Sequence, residues 1–102
     1  MKGYKIDLRD YEFPGLTGEV NVGQNLAFIL FANKVTARES VKMAILADKL
    51  EEVDEIVLSE ADYDKLLKAC ESPDIQAKRP HVPMFERVFN AEVVELEEKK
   101  NA

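Results

Sequence analysis

Ile56-Val57-Leu58-Ser59-Glu60-Ala61-Asp62-Tyr63-Asp64-Lys65-Leu66-Leu67-Lys68-Ala69-Cys70 changes its hydrophobic period in the middle, and that change decides the fold. Asp54 to Leu58 is a short β-rich run, which reads as a strand. Tyr63, Leu66, Leu67 and Cys70 then follow the i, i+3, i+4, i+7 spacing of a single helix face. Ser59 between them is an N-cap, because its hydroxyl can accept from an unpaired N–H of the first helical turn. Leu58 and Tyr63 flank this cap as a hydrophobic staple does. The acidic start and Lys65/Lys68 further on suit the helix dipole. Ser72-Pro73 ends the helix.

Upstream, Thr36-Ala37-Arg38-Glu39 has the spacing of a capping box. The helix it opens is predicted to run to about Leu50 or Glu51. Val41, Ala44, Ile45 and the Ala47/Asp48 turn form its stripe, which Met43, Leu46 and Leu50 widen. Before it, Gly23-Gln24-Asn25 leads into Leu26-Ala27-Phe28-Ile29-Leu30-Phe31-Ala32, with Ile29 the only β-branched residue of the run. That composition favours helix, closed by Asn33-Lys34. A helix apolar on every face is either central to a fold or part of an interface. A domain of this size rarely encloses one fully, so Phe28, Ile29 and Phe31 are candidates for contact with another chain.

At the start, Tyr4, Ile6 and Leu8 alternate with Lys5, Asp7 and Arg9, the period of a half-buried strand. Pro14-Gly15 is a turn signal. Residues 16–22 read as a second strand, expected to pair with the first as a loose hairpin. At the other end, residues 73–83 hold Pro73, Pro80 and Pro83 together with Lys78, Arg79 and His81, the most basic patch of the chain. Pro83 opens a last short helix carrying Met84, Phe85, Val88 and Phe89, and Asn90 ends it. Glu92 to Leu96 reads as a terminal strand, and 97–102 as a solvated tail.

These elements predict an α+β fold, a small and mainly antiparallel sheet with three to four helices. The expected organisation is one domain over 1–91 and a charged C-terminal tail over 92–102. The core is expected at Ile6, Leu8, Leu26, Ile29, Leu30, Val41, Ile45, Val57, Leu66, Leu67, Val88 and Phe89.

Composition narrows the function. The 102 residues include 20 acidic and 14 basic side chains, so the net charge of −6 argues against a binder that works by neutralising phosphates. The longest apolar run falls far short of the ~20 residues of a membrane-spanning helix. The N-terminal residues lack the apolar region of a signal peptide, so a soluble protein of a reducing compartment is expected. One Cys and one His cannot make an intrachain disulfide or a Cys/His zinc site. Asp7, Asp10 and Glu12, or Asp62 and Asp64, do not match a calcium loop. Gly15, Gly18 and Gly23 lack the Gly-Lys-Ser/Thr of a phosphate loop.

Cys70, on the apolar helix face beside Glu71, reads as a core thiol rather than a nucleophile. His81, among prolines and basic residues, has no partner base or nucleophile marked out for it. No catalytic residue, cofactor or metal is therefore assigned. The candidate interface consists of Phe28, Ile29 and Phe31, with Lys78, Arg79 and His81 as a docking patch for an acidic partner.

Leu46-Ala47-Asp48-Lys49-Leu50 followed by Ile56 to Leu67 resembles short proteins of tailed bacteriophages and prophages, with the order of elements agreeing over about residues 4 to 90. The connection at 73–83 is longer than that pattern has. The resemblance implies an accessory, assembly or virion-associated protein rather than an enzyme. The expected function is thus a non-catalytic protein–protein interaction, a phage-type structural or assembly component that self-associates in the host cytoplasm or the virion. The alternative is a small acidic inhibitor or regulator docking on a basic host surface. Neither nucleic acid nor membrane is expected as a partner.

Overall fold

The computed structural model describes residues 1–32, 35–73, 75 and 77–95. The described elements run β1 (Lys2–Asp7), β2 (Tyr11–Glu12), β3 (Glu19–Val20), α1 (Val22–Ala32), α2 (Ala37–Glu52), β4 (Glu55–Ser59), α3 (Glu60–Glu71), α4 (Val82–Phe89) and β5 (Glu92–Glu95), with a 3-10 turn at Arg79–His81 before α4. The fold is α+β, with a three-stranded antiparallel sheet in the order β4-β1-β5 and a separate β2-β3 ladder.

The first strand does not pair as a hairpin with residues 16–22. β1 sits at the centre of the sheet, with Tyr4 opposite Leu58 on one side and Val93 on the other. The expected second strand shrinks to Glu19–Val20, paired only with Tyr11–Glu12. Residues from Val22 onward are already helical, including Gly23-Gln24-Asn25, which the sequence placed ahead of the helix. The turn between the two short strands does follow its residues. Leu16 N–H donates to the Phe13 carbonyl at 3.0 Å, and Gly15 has φ +86°. That positive φ at the third position, after Pro14, is the requirement of a type II turn.

Both helix caps form as read. The Glu39 N–H donates to Thr36 Oγ1 at 3.2 Å, and the Thr36 N–H donates to Glu39 Oε2 at 3.4 Å. The Asp62 N–H donates to Ser59 Oγ at 3.2 Å. The terminal-strand reading also holds, since Glu92–Glu95 pairs with β1 and so joins the sheet rather than a tail. The proposed helix end at Asn33-Lys34, residue Leu96 and the tail at 97–102 lie outside the described residues.

Helices α3 and α4 pack on β1, α1 packs on α3 and α2, and α2 meets the rest mainly through α1. Ile6, Leu8, Leu26, Ile29, Leu30, Leu66 and Val88 are buried, as expected, and Leu67 is half-buried against them. Four expected core residues are exposed: Val41, Ile45, Val57 and Phe89. For α2 the reason lies in its sequence. It carries two apolar stripes, Val41-Ala44-Ile45-Asp48 and Met43-Leu46-Ala47-Leu50. The second is apolar at all four positions, and Leu46, Ala47 and Leu50 are the ones buried. Val57 lies on the sheet face opposite Leu58, and Leu58 takes the buried side. Phe89 continues from Phe85, which is buried while Phe89 remains outside, their rings stacked at 6.3 Å.

Gly23 sets how close α1 comes to α2. A Cβ there would overlap the Leu50 carbonyl oxygen. The two backbones touch at this point, and only glycine leaves room for it.

Candidate protein-interaction surface

Phe28 stands on the outer side of α1 with 74% of its surface exposed, and Phe31, one turn on, is 45% exposed. Both belong to a helix whose six buried residues already fill the space facing α2 and α3. Large aromatics on a helix are ordinarily its best core material. Here they are surplus, because no further layer covers that side among the described residues.

Phe28 separates two grooves. On one flank it meets Asn25, Ile29, His81, Met84 and Phe85 around a groove of about 260 Å³ between α1 and the start of α4. On the other, Phe28 and Phe31 face Ala44, Asp48 and Glu51 of α2 across a groove of about 480 Å³. Of the six residues proposed for contact, the structure thus brings Phe28, Ile29 and His81 to one groove and Phe28 and Phe31 to the other. Ile29 is corrected in role: it is buried and forms groove floor, not contact surface. Lys78 and Arg79 line neither groove but are exposed on the segment leading to His81.

Sequence reading missed the α2 contribution. Val41 and Ile45, 62% and 55% exposed, extend the apolar surface along α2 beyond Ala44. The signal was present in Asp48, which completes that stripe with a charge and so marks it as the outward one.

Among the described residues, the groove holding His81 offers it no chemical partner. Among the described residues lining it, the remaining side chains are apolar or, for Asn25, an amide. Cys70 is buried, and burial, helped by Glu71, pushes its thiol up to about 12. A thiol so protonated is a core group. Of the acidic residues weighed for metal, Asp7, Asp62 and Asp64 have cationic partners instead, Asp7 in Arg9 at 3.0 Å. Lys65 reaches Asp62 at 3.7 Å, and Lys68 reaches Asp64 at 3.0 Å. No group of three or more His, Cys, Asp or Glu able to hold a metal occurs among the described residues. No helix among them is long and apolar enough to cross a membrane.

A third surface is polar. Asp10, Glu19, Glu51 and Asp54 surround a groove of about 340 Å³ in which Arg9 is the lone cation among the described lining residues. Asp10 also accepts the Val22 N–H at 3.2 Å and so helps to start α1. Gln24 and Glu51 border both this groove and the one beside Phe31, so the carboxylates continue onto the α2 side of the apolar surface.

Comparison with protein-family models, with curated proteins and with solved structures finds no match to this chain.

Proposed function

We propose that this chain is a non-catalytic protein–protein interaction module that self-associates through the outer face of α1 and the adjoining stripe of α2. The observation that carries the reading is Phe28, an aromatic left 74% exposed on a helix with no polar side to turn outward except Gln24 and Asn25. Phe31 in the same groove and the exposed Val41 and Ile45 of α2 add to it, and exposed apolar surface of this kind marks interaction sites. The resemblance of residues 46–67 to phage and prophage proteins supplies the biological setting, a structural or assembly component of the host cytoplasm or virion.

The test is the solution mass at two concentrations, by size-exclusion chromatography with light scattering, for the native chain and for Phe28→Glu. The native mass is expected to exceed that of one chain and to rise with concentration. Phe28→Glu is expected to run as a monomer with its thermal unfolding unchanged. A native chain that stays monomeric, or a variant whose mass matches the native one, overturns the reading. A monomer turns attention to the second reading, an acidic inhibitor of a basic surface, which the four carboxylates around one groove favour.

A further inference from the structure

A cleft of about 420 Å³ lies between the end of α1, the first turns of α2 and the middle of α3. It shares no residue with the two grooves beside Phe28. Leu30 and Ala69, both buried, and half-buried Met43 give it an apolar lining. Walls from three helices make it concave, and its volume falls in the range of about 300–1,000 Å³ that small-molecule sites occupy.

Five charged side chains line the same cleft, Glu39 and Asp64 against Lys42, Lys65 and Lys68. Both carboxylates are engaged. Glu39 accepts the Thr36 N–H in the capping box, and Asp64 holds Lys68 at 3.0 Å. Lys65 reaches Asp62, which is outside the lining, at 3.7 Å. Lys42 makes no ion pair among the described residues. The charge left over is therefore positive, in a chain whose net charge is −6. A cation would meet three ammonium groups here, and a wholly apolar molecule would make no use of them. An apolar body with one anionic head suits both the lining and the free lysine. We infer that the cleft binds a small amphipathic acid, with its hydrocarbon part against Leu30, Met43 and Ala69 and its carboxylate on Lys42. The site is independent of the self-association proposed above.

The methionines make a test specific. The chain has three. Met43 lines the cleft, Met84 lines a groove beside Phe28, and Met1 lines a third depression beside Tyr4. In NMR spectra of the full chain with isotope-labelled methionine methyl groups, decanoate below its micelle concentration should shift the Met43 signal and leave the other two in place. Octanoate, two methylenes shorter, should bind about tenfold more weakly. Decylammonium has a hydrocarbon tail of the same length and the opposite charge, and should bind at least about tenfold more weakly than decanoate. Lys42→Glu should weaken decanoate binding by about tenfold or more. Lys42 is exposed, so the thermal melt of that variant should match the native one. Phe28→Glu should bind decanoate as the native chain does.

A Met43 signal that does not move overturns the assignment, and so does a shift shared equally by all three methyl groups. Decylammonium binding as tightly as decanoate, or a Lys42→Glu variant with native affinity, removes the role of the lysine and with it the proposal. Loss of binding in Phe28→Glu would place the molecule in the grooves beside Phe28 instead, with the same consequence.

Discussion

The two sides of this molecule treat their aromatic residues in opposite ways. Beside α4 two tyrosines are each given something to do, although Phe89 stays exposed. Tyr63 stacks on Tyr4 with centroids 4.0 Å apart, and its hydroxyl donates to the Val88 carbonyl at 2.6 Å. Tyr11 donates to the Pro80 carbonyl and accepts the Met84 N–H, while the Arg87 guanidinium lies 5.0 Å from its ring centre. On the outer side of α1, Phe28 and Phe31 have no covering layer among the described residues and no polar end to turn to water. The difference teaches that exposure here follows from where the layers stop. α3 carries charged residues on its free side, whereas α1 has none to spend there.

The largest effect expected from breaking this contrast lies within α1 itself. Leu26 is fully buried two positions before the exposed Phe28. Leu26→Ala should cost about 2–5 kcal/mol of unfolding free energy through lost burial and the cavity left behind. Phe28→Ala, measured at a concentration where the chain is monomeric, should stay within about 0.5 kcal/mol of native. Urea unfolding of the two variants side by side is the measurement. Equal losses would mean that Phe28 is packed within its own fold.

A second substitution sharpens the same comparison from the backbone. Gly23→Ala puts a methyl group against the Leu50 carbonyl, which cannot move without shifting α2. About 1–3 kcal/mol of destabilisation is expected, as for other overpacked sites. Because α2 meets the rest of the fold mainly through α1, the change should also displace the α2 side of the proposed interface. Thermal melts and the association constant together would show whether the two losses coincide.

The extent to which all this is legible in sequence follows the range of the interactions. Thr36/Glu39 and Ser59/Asp62 form their caps because the partners are three residues apart and the chemistry is complete in one turn. The exposed Phe28 is foreseeable because α1 has no polar stripe. The strand pairing is not. β1 chooses Glu55–Ser59 and Glu92–Glu95 over its neighbour in sequence, a choice made by the packing of α3 and α4 against it. The face of α2 is half legible, since two stripes compete and α1 selects between them. The acidic groove is invisible in a linear reading, because positions 10, 19, 51 and 54 lie on separate elements. For the same reason nothing near Arg87 in the chain announces Tyr11.

On the closed side, Arg87 offers a smaller effect. Its Nη1 donates to the Asp7 carbonyl at 3.1 Å and to the Arg9 carbonyl at 2.7 Å, tying the end of β1 to α4. Arg87→Met keeps much of the side-chain stem and removes both bonds and the contact with Tyr11. A loss of about 1–2 kcal/mol is expected. Self-association should be unaffected, since Arg87 lines none of the grooves around Phe28. A variant that loses stability and association together would show that the two sides are coupled, and the contrast between them would no longer hold.

The smallest effect belongs to the same corner and is read by pH. Asp7 accepts from the Arg9 Nε at 3.0 Å and from Nη2 at 3.1 Å, and from the Arg9 backbone N–H at 3.0 Å. The Arg9 side-chain bonds are the main cause that holds its carboxyl down, from the ordinary 3.8 to about 2. Partial burial opposes the shift, and the Arg9 backbone N–H and nearby Arg87 add to it. A carboxyl whose folded pKa lies below its unfolded value stabilises the fold above the unfolded value and stops doing so as pH falls through the folded one. The contribution is therefore complete above about pH 4 and lost between there and about pH 2. With 37% of the side chain exposed, water screens the pair, and less than about 1 kcal/mol is expected. Asp7→Asn should flatten the fall in stability over that interval and leave the curve near neutral pH shifted by no more than that amount. If native and variant curves stay parallel from pH 4 to 2, the Arg9 pair does not contribute to folding. The closed side would then be held by Tyr11, Tyr63 and Arg87 through their bonds to backbone carbonyls.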